Sequence, residues 1–286
     1  VVVPEFRQVV PEDELITMVP QFDGWIIGDD PATGAVFRAG RAGRLRGVVK
    51  WGVGTDNVDF AGAKAAGFDV ANTPGMFGEE VSDVAVAYLI GLARGLFLID
   101  RGVRGGAWPK PSGLSLQGKT VALAGFGNIG RAAARKLAAL GLRVIAYDPF
   151  FALDPAMPVE PAVWPERLHE ADFVVLTCAL TDSSRHMVNA EALARMKPGV
   201  LLVNVSRGPL IDELALVAAL GSGHVAAAAL DVFADEPLPS DSPLRAFEQC
   251  IFGSHNGSNT VEAVHRTSLK AIELLFERLE KQKPEG

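Results

Sequence analysis

Short apolar runs recur along the chain, and between them apolar residues repeat every three to four positions. The first pattern suits buried strands and the second amphipathic helices. In chain order the strand candidates are residues 1–4, 25–28, 48–54, 68–71, 120–124, 143–147, 172–176, 200–205, 225–230 and 250–252. The helix candidates are 11–19, 36–45, 60–66, 81–101, 129–140, 164–170, 189–196, 212–220 and 261–280, followed by a polar tail. Strands alternating with helices predict an α/β fold with a parallel sheet. Turn residues punctuate the pattern: Gly141, Lys197-Pro198-Gly199 and Gly221-Ser222-Gly223 each close a helix candidate.

The helix expected at 81–101 is apolar almost all round. Val81, Val84, Ala85, Tyr88, Leu89, Leu92, Leu96 and Ile99 form one broad face, and Ala87, Ile90 and Ala93 extend it. Such a helix needs cover on most sides. A subunit contact and a core position between domains would each supply it.

One stretch organises the rest. After the apolar run 120–124 comes Gly125-Phe126-Gly127-Asn128-Ile129-Gly130, a G-x-G-x-x-G. A helical segment follows (Ile129, Ala133, Leu137, Leu140), then a second apolar run ending in Asp148. Each glycine has a task. Gly125 allows the tight turn, Gly127 lets a pyrophosphate approach the backbone, and Gly130 lets the helix pack against the sheet. The amides and dipole at the helix start favour an anion. Asp148 stands where a carboxylate can accept hydrogen bonds from a ribose diol, and it would repel a 2′-phosphate. Strand, turn, helix, strand and acid in this order predict a dinucleotide site, with NAD as the cofactor.

Composition narrows the class. The chain has 286 residues, 49% hydrophobic and 21% charged, enough for a real core in one large or two ordinary domains. A net charge of −7 argues against nucleic acid as the main partner, yet leaves room for a small anionic substrate beside a local Arg. Only Cys178 and Cys250 occur, so no disulfide framework is expected. No apolar run reaches membrane-spanning length and no signal peptide is visible, so the expectation is a soluble cytoplasmic protein without a membrane partner. No H-x-x-H, C-x-x-C or acidic ladder points to a metal.

Successive strand candidates end in Asp148, Thr177-Cys178, Ser206-Arg207, Asp231 and Ser254-His255. In an open α/β sheet that edge is where ligands bind. The Arg207 fork suits a carboxylate, with an ion pair to Asp231 or Glu236 as the alternative. His255, between glycines, is the candidate proton carrier, and Glu236 its carboxylate partner. His169, His186, His224 and His265 lack such company. The turn at Val53-Gly54-Thr55-Asp56-Asn57 could hold a carboxylate on its amides, and Lys50 could contact an anion.

These stretches together resemble the D-isomer-specific 2-hydroxyacid dehydrogenases, and most of all their phosphoglycerate dehydrogenase branch. The resemblance rests on residues 50–59, Asn72-Thr73-Pro74-Gly75, Gly125 to Gly130, Val205-Ser206-Arg207-Gly208, Asp231-Val232-Phe233 with Glu236-Pro237, and Ser254-His255-Asn256-Gly257-Ser258. It implies a Rossmann-type doubly wound domain at 76–254 and a smaller flavodoxin-like substrate domain at 1–75, completed by 255–286, with the active site in the cleft. It implies Arg207, Glu236 and His255 as the catalytic set. Substrate contacts would come from Arg207, His255, Lys50 and the backbone at Val53 and Gly54. Cofactor contacts carry over to Asn128, Ile129, Asp148, Cys178, Ser206, Asp231 and Gly257, beside Gly125, Gly127 and Gly130. A homodimer through the 81–101 helix is implied as well.

Three departures from the family pattern bear on function. Relatives have an additional strand and helix ahead of the region matching Val1, so an N-terminal truncation of roughly 30 residues is expected. Where the branch has an Arg-Ala pair, this chain has Lys50-Trp51, a poorer partner for phosphate. No carboxyl-terminal regulatory domain is expected after the last helix. The activity this implies is NAD-dependent interconversion of a D-2-hydroxyacid and its 2-keto acid, with 3-phosphoglycerate as a candidate substrate. The alternative is an NAD(H)-sensing, corepressor-like scaffold with little turnover.

Overall fold

The computed structural model describes residues 9–151 and 157–281, so the strand expected at 1–4 lies outside the described residues. The chain divides into two compact units, Val1–Met76 with Thr260–Gly286, and Phe77–Asn259. His255 to Asn259 therefore belong with the larger unit, not with the closing segment expected from 255 onward.

The smaller unit contains α1 (Glu12–Met18), β1 (Gly24–Ile27), α2 (Gly34–Ala42), β2 (Gly47–Lys50), α3 (Phe60–Ala65) and the closing helix α9 (Val261–Lys281). β1 and β2 pair in parallel, with Gly24 opposite Gly47. These glycines leave room for Leu275 and Leu279 of α9 against the strands. A core of Leu15, Ile27, Phe37, Leu45 and Val48 fills the other side. The strand expected at 68–71 is reduced to one bridge between Val49 and Ala71.

The larger unit contains α4 (Gly78–Arg94), α5 (Leu96–Arg104), β3 (Thr120–Ala124), α6 (Asn128–Ala139), β4 (Arg143–Tyr147), β5 (Val159–Ala162), β6 (Phe173–Leu176), α7 (Ala190–Arg195), β7 (Val200–Asn204), α8 (Glu213–Gly221), β8 (Val225–Leu230) and β9 (Ile251–Phe252). Its seven strands run in the order β5-β4-β3-β6-β7-β8-β9, every adjacent pair parallel. β3, β6 and β7 are buried along their whole length, as near-continuous apolar runs require when both faces are covered. The order reverses between β3 and β6, which places the topological switch point at their carboxyl ends.

Two expectations are corrected. The helix at 81–101 is not continuous. Gly95, at φ 62° and ψ 28°, ends α4, and α5 leaves at a bend of 67°. The left-handed region suits glycine, and the Phe97 ring folds back against Gly91, where a Cβ would come within 2.8 Å of it. Instead of a helix, the 164–170 region holds a 3₁₀ turn at Leu168–Glu170, and β5 precedes it on the sheet edge. No single helix among the described residues is long and apolar enough to cross a membrane.

Candidate active site

The glycine-rich turn joins β3 to α6 at the switch point. Gly125 has φ 97°, and a side chain there would run into the backbone of Thr177 and Cys178 at the end of β6. A Cβ at Gly130 would strike the carbonyl of Gly125. At Gly127 a Cβ would meet nothing within 4 Å. Two glycines are therefore demanded by the protein's own packing, while the third opens onto space. The N-terminus of α6 has no side-chain cap, so its first amides face that space with the helix dipole behind them. This cradle fits a pyrophosphate.

Asp148 lies beside it at the end of β4. Its Oδ2 accepts from the Phe126 N–H (2.7 Å) and its Oδ1 from the Phe150 N–H (2.8 Å). The carboxylate is thereby oriented, and it retains acceptor capacity for a diol. Phe126 stacks on Phe151 at 4.8 Å, and the Arg131 guanidinium lies 4.7 Å from the Phe126 ring centre.

At the β6 tip, the Thr177 hydroxyl donates to the Gly125 carbonyl (3.0 Å), tying the two loops together. Ser206 donates to the Cys178 carbonyl. Burial pushes the Cys178 thiol up to about 11, so it stays a neutral thiol, with Met187 sulfur at 3.6 Å. At the β7 tip, Asn204 donates to the Arg207 carbonyl (2.9 Å) and accepts from the Ser206 N–H (3.0 Å). Arg207 Nη1 donates to the Ser206 carbonyl (2.8 Å).

The β8 and β9 tips carry a histidine–carboxylate pair. His255 Nδ1 lies 2.7 Å from Glu236 Oε2, each side chain about a third exposed. Glu236 Oε1 accepts from the Phe233 N–H (2.9 Å). Burial pushes the Glu236 carboxyl up. The hydrogen bonds from His255 and Phe233, with the nearby charges of His255 and Arg207, outweigh that and hold it below its ordinary value. An ionised carboxylate can only accept, so Nδ1 carries the proton. His255 adopts φ 55°, and its N–H donates to the Asp231 carbonyl (2.7 Å). Asp231 is 3% exposed, and its side chain accepts from Gly257 N–H (2.8 Å), Asn256 N–H (3.3 Å) and the Tyr88 hydroxyl (3.3 Å).

Every site residue expected in the larger unit thus lies on the carboxyl edge of the sheet, in the loops leaving it, or in the first turn of α6. The remaining three belong to the smaller unit. Val53 is exposed and Gly54 half-buried, beside Gly52, whose N–H donates to Thr73 Oγ1 (2.8 Å). Lys50 differs from expectation. Its ammonium is turned inward, donating to the carbonyls of Gly28 (2.6 Å) and Trp51 (3.0 Å), with Asp29 at 3.8 Å. A buried cation needs such partners, and they tie it to its own unit.

Sequence reasoning assigned no place in the site to Tyr88, Asn204 or Gly208. A Cβ at Gly208 would run into the Phe233 backbone, so this glycine lets the Arg207 loop lie against the loop carrying Glu236. Its position directly after Arg207 was the available signal. Tyr88 gave none, because its partner lies 143 residues away.

The sequence model for the D-isomer specific 2-hydroxyacid dehydrogenase, NAD binding domain, matches residues 86–257. The hydroxypyruvate reductase of Thermotoga maritima is 36% identical over 274 residues, covering 94% of this chain and 88% of that protein. The D-3-phosphoglycerate dehydrogenase of Mycobacterium leprae is 38% identical over 91% of this chain, which spans only 50% of that longer protein. Among solved structures, a protein from Thermus thermophilus matches with a TM-score of 0.88 at 34% identity, covering 97% of this chain and 89% of that one. The match to the nucleotide-binding half and the similarity along nearly the whole chain lead to one conclusion: this chain belongs to the D-isomer-specific 2-hydroxyacid dehydrogenases and is an NAD-dependent oxidoreductase.

Proposed function

We propose that the chain interconverts a small, unphosphorylated D-2-hydroxyacid and its 2-keto acid, with hydroxypyruvate as the favoured keto acid. The observation that carries this reading is the 2.7 Å contact of His255 Nδ1 with Glu236, on the edge that also bears Arg207. In reduction, protonated His255 gives a proton from Nε2 to the carbonyl oxygen. Negative charge building on that oxygen is met by the Arg207 guanidinium, whose fork also suits the substrate carboxylate. In oxidation, neutral His255 removes the hydroxyl proton. Glu236 fixes the tautomer and favours the imidazolium in both directions. Val53 and Gly54 remain in the proposal as backbone donors to a carboxylate.

For the cofactor, the Gly127 cradle and the amides of Asn128, Ile129 and Gly130 would hold the pyrophosphate, and Asp148 the adenosine ribose. Cys178, Ser206, Asp231 and Gly257 would line the nicotinamide side. Bound NAD supplies the hydride acceptor and, reduced, the hydride donor.

Lys50 supports the unphosphorylated choice, because its ammonium is engaged by Gly28, Trp51 and Asp29. A phosphorylated substrate is the second reading, favoured by the 38% identity to a D-3-phosphoglycerate dehydrogenase. The proposal includes a homodimer built on α4 and α5. α5 buries none of its residues, and Leu96, Phe97 and Val103 stand exposed. The test is NADH oxidation against hydroxypyruvate, glyoxylate, pyruvate and 3-phosphohydroxypyruvate, with Arg207→Ala as control. Turnover of hydroxypyruvate that the control loses is expected. Turnover restricted to the phosphorylated acid would replace the first reading with the second, and a flat panel would refute both.

A further inference from the structure

The loop of Gly253 to Gly257 is held by the Gly253 N–H on the Leu230 carbonyl (2.8 Å) and, beyond that, by one buried residue, Asp231. Asp231 takes the His255 N–H on its carbonyl and the N–H groups of Asn256 and Gly257 on its side chain. The third donor to that side chain is not in the loop or the sheet. It is the Tyr88 hydroxyl, reaching from α4 to Asp231 Oδ1. Burial and the Asp231 charge both push the Tyr88 phenol up, so it keeps its proton and acts as a donor. The approach is built in: a Cβ on Gly253 would run into both Asp231 Oδ1 and the Tyr88 oxygen. Two turns earlier on α4, Val81 methyls lie 3.8 Å from where a Gly257 Cβ would stand. One face of α4 thus runs alongside both ends of the loop that carries His255, with Tyr88 at one end and Val81 near the other.

We propose that Tyr88 is a positioning residue for catalysis, which fixes the Asp231 carboxylate and through it the backbone that presents His255. The proposal rests on His255 being the acid–base group. Without the phenol, a buried carboxylate loses one of three donors, and the strained φ of His255 loses part of what holds it.

The test uses Tyr88→Phe, which keeps the ring and its packing, in the whole chain. Hydrogen exchange at the Asn256 and Gly257 amides should quicken about tenfold, while Val225–Leu230 amides stay unchanged. With the best keto acid, kcat should fall about tenfold and KM for the keto acid stay within about twofold. On an Asp231→Asn background the same substitution should cost nothing further, as a shared path requires. Unchanged loop exchange in Tyr88→Phe would overturn the proposal, as would a loss in kcat of equal size on both backgrounds. Wild-type protein inactive on every keto acid would instead defeat the functional reading, and the exchange result would still decide whether Tyr88 braces the loop.

Discussion

The β3 tip and the β8 tip lie on the same sheet edge and are built by opposite means. At β3 the site is made by removing side chains: Gly125 and Gly130 are forced by backbone contact, and Gly127 opens onto space. At β8 it is made by burying one: Asp231, 3% exposed, gathers two loop amides and a phenol from a distant helix. A backbone cradle asks only that no side chain intrude, so it tolerates change that leaves its glycines and the Thr177-Cys178 backbone in place. A buried carboxylate depends on every partner at once, because each donor it loses leaves a desolvated charge less satisfied.

The largest expected effect is at the second tip. His255→Ala should lower kcat by about 10²–10⁴-fold with NADH affinity nearly unchanged, read by steady-state kinetics and NADH titration. Retained turnover would remove the acid–base assignment and leave the cradle reading intact.

Within the cradle, two substitutions of the same kind should diverge. Gly130→Ala forces a methyl onto the Gly125 carbonyl and should destabilise the fold by about 1–3 kcal/mol in denaturant titration. Gly127→Ala should leave that midpoint unchanged and weaken NADH binding about tenfold. Equal stability loss in both would mean that the open space at Gly127 serves packing and not a ligand.

The smallest effect is expected at an exposed charge network that contrasts with Asp231. Arg143 and Arg167 bracket Glu160 and Glu170 at 2.7–2.9 Å, and hydrogen bonds from the arginines hold both carboxyls down to about 2. A folded value below the unfolded one contributes stability above the ordinary carboxylate range, and that contribution fades as pH falls towards 2. Solvent screening keeps it small, so Glu160→Gln should change stability by less than about 1 kcal/mol at neutral pH. Its acid denaturation profile should be shallower than that of the wild type between about pH 4.3 and 2.

The same contrast explains what the sequence disclosed. The strand, turn, helix, strand unit with Asp148 was legible because each signal is local. His255 and Glu236 were legible as candidates from their place after strands, although only the folded chain brings Nδ1 to Oε2. The break at Gly95 was not, because apolar periodicity continues from Leu92 to Leu96 and Ile99 straight across it. β5 was hidden because it contains Glu160 and Pro161, which an edge strand accommodates and a central strand does not. Lys50 read as a candidate anion contact, since nothing in its neighbours Val49 and Trp51 shows that Gly28 and Asp29 receive its ammonium. Tyr88 read as one member of an apolar face, and its hydroxyl matters only through a residue on a strand that folds beside it.

The most direct test of the central claim is the pH dependence of hydride transfer in both directions, measured before product release in wild-type protein and in His255→Ala. If His255 is the acid–base group as proposed, the same imidazole must be charged to reduce a keto acid and neutral to oxidise the hydroxyacid. Reduction should therefore slow as pH rises and oxidation should slow as pH falls, and both limbs should vanish in the variant. Parallel trends in the two directions, or limbs that survive without His255, would contradict the account.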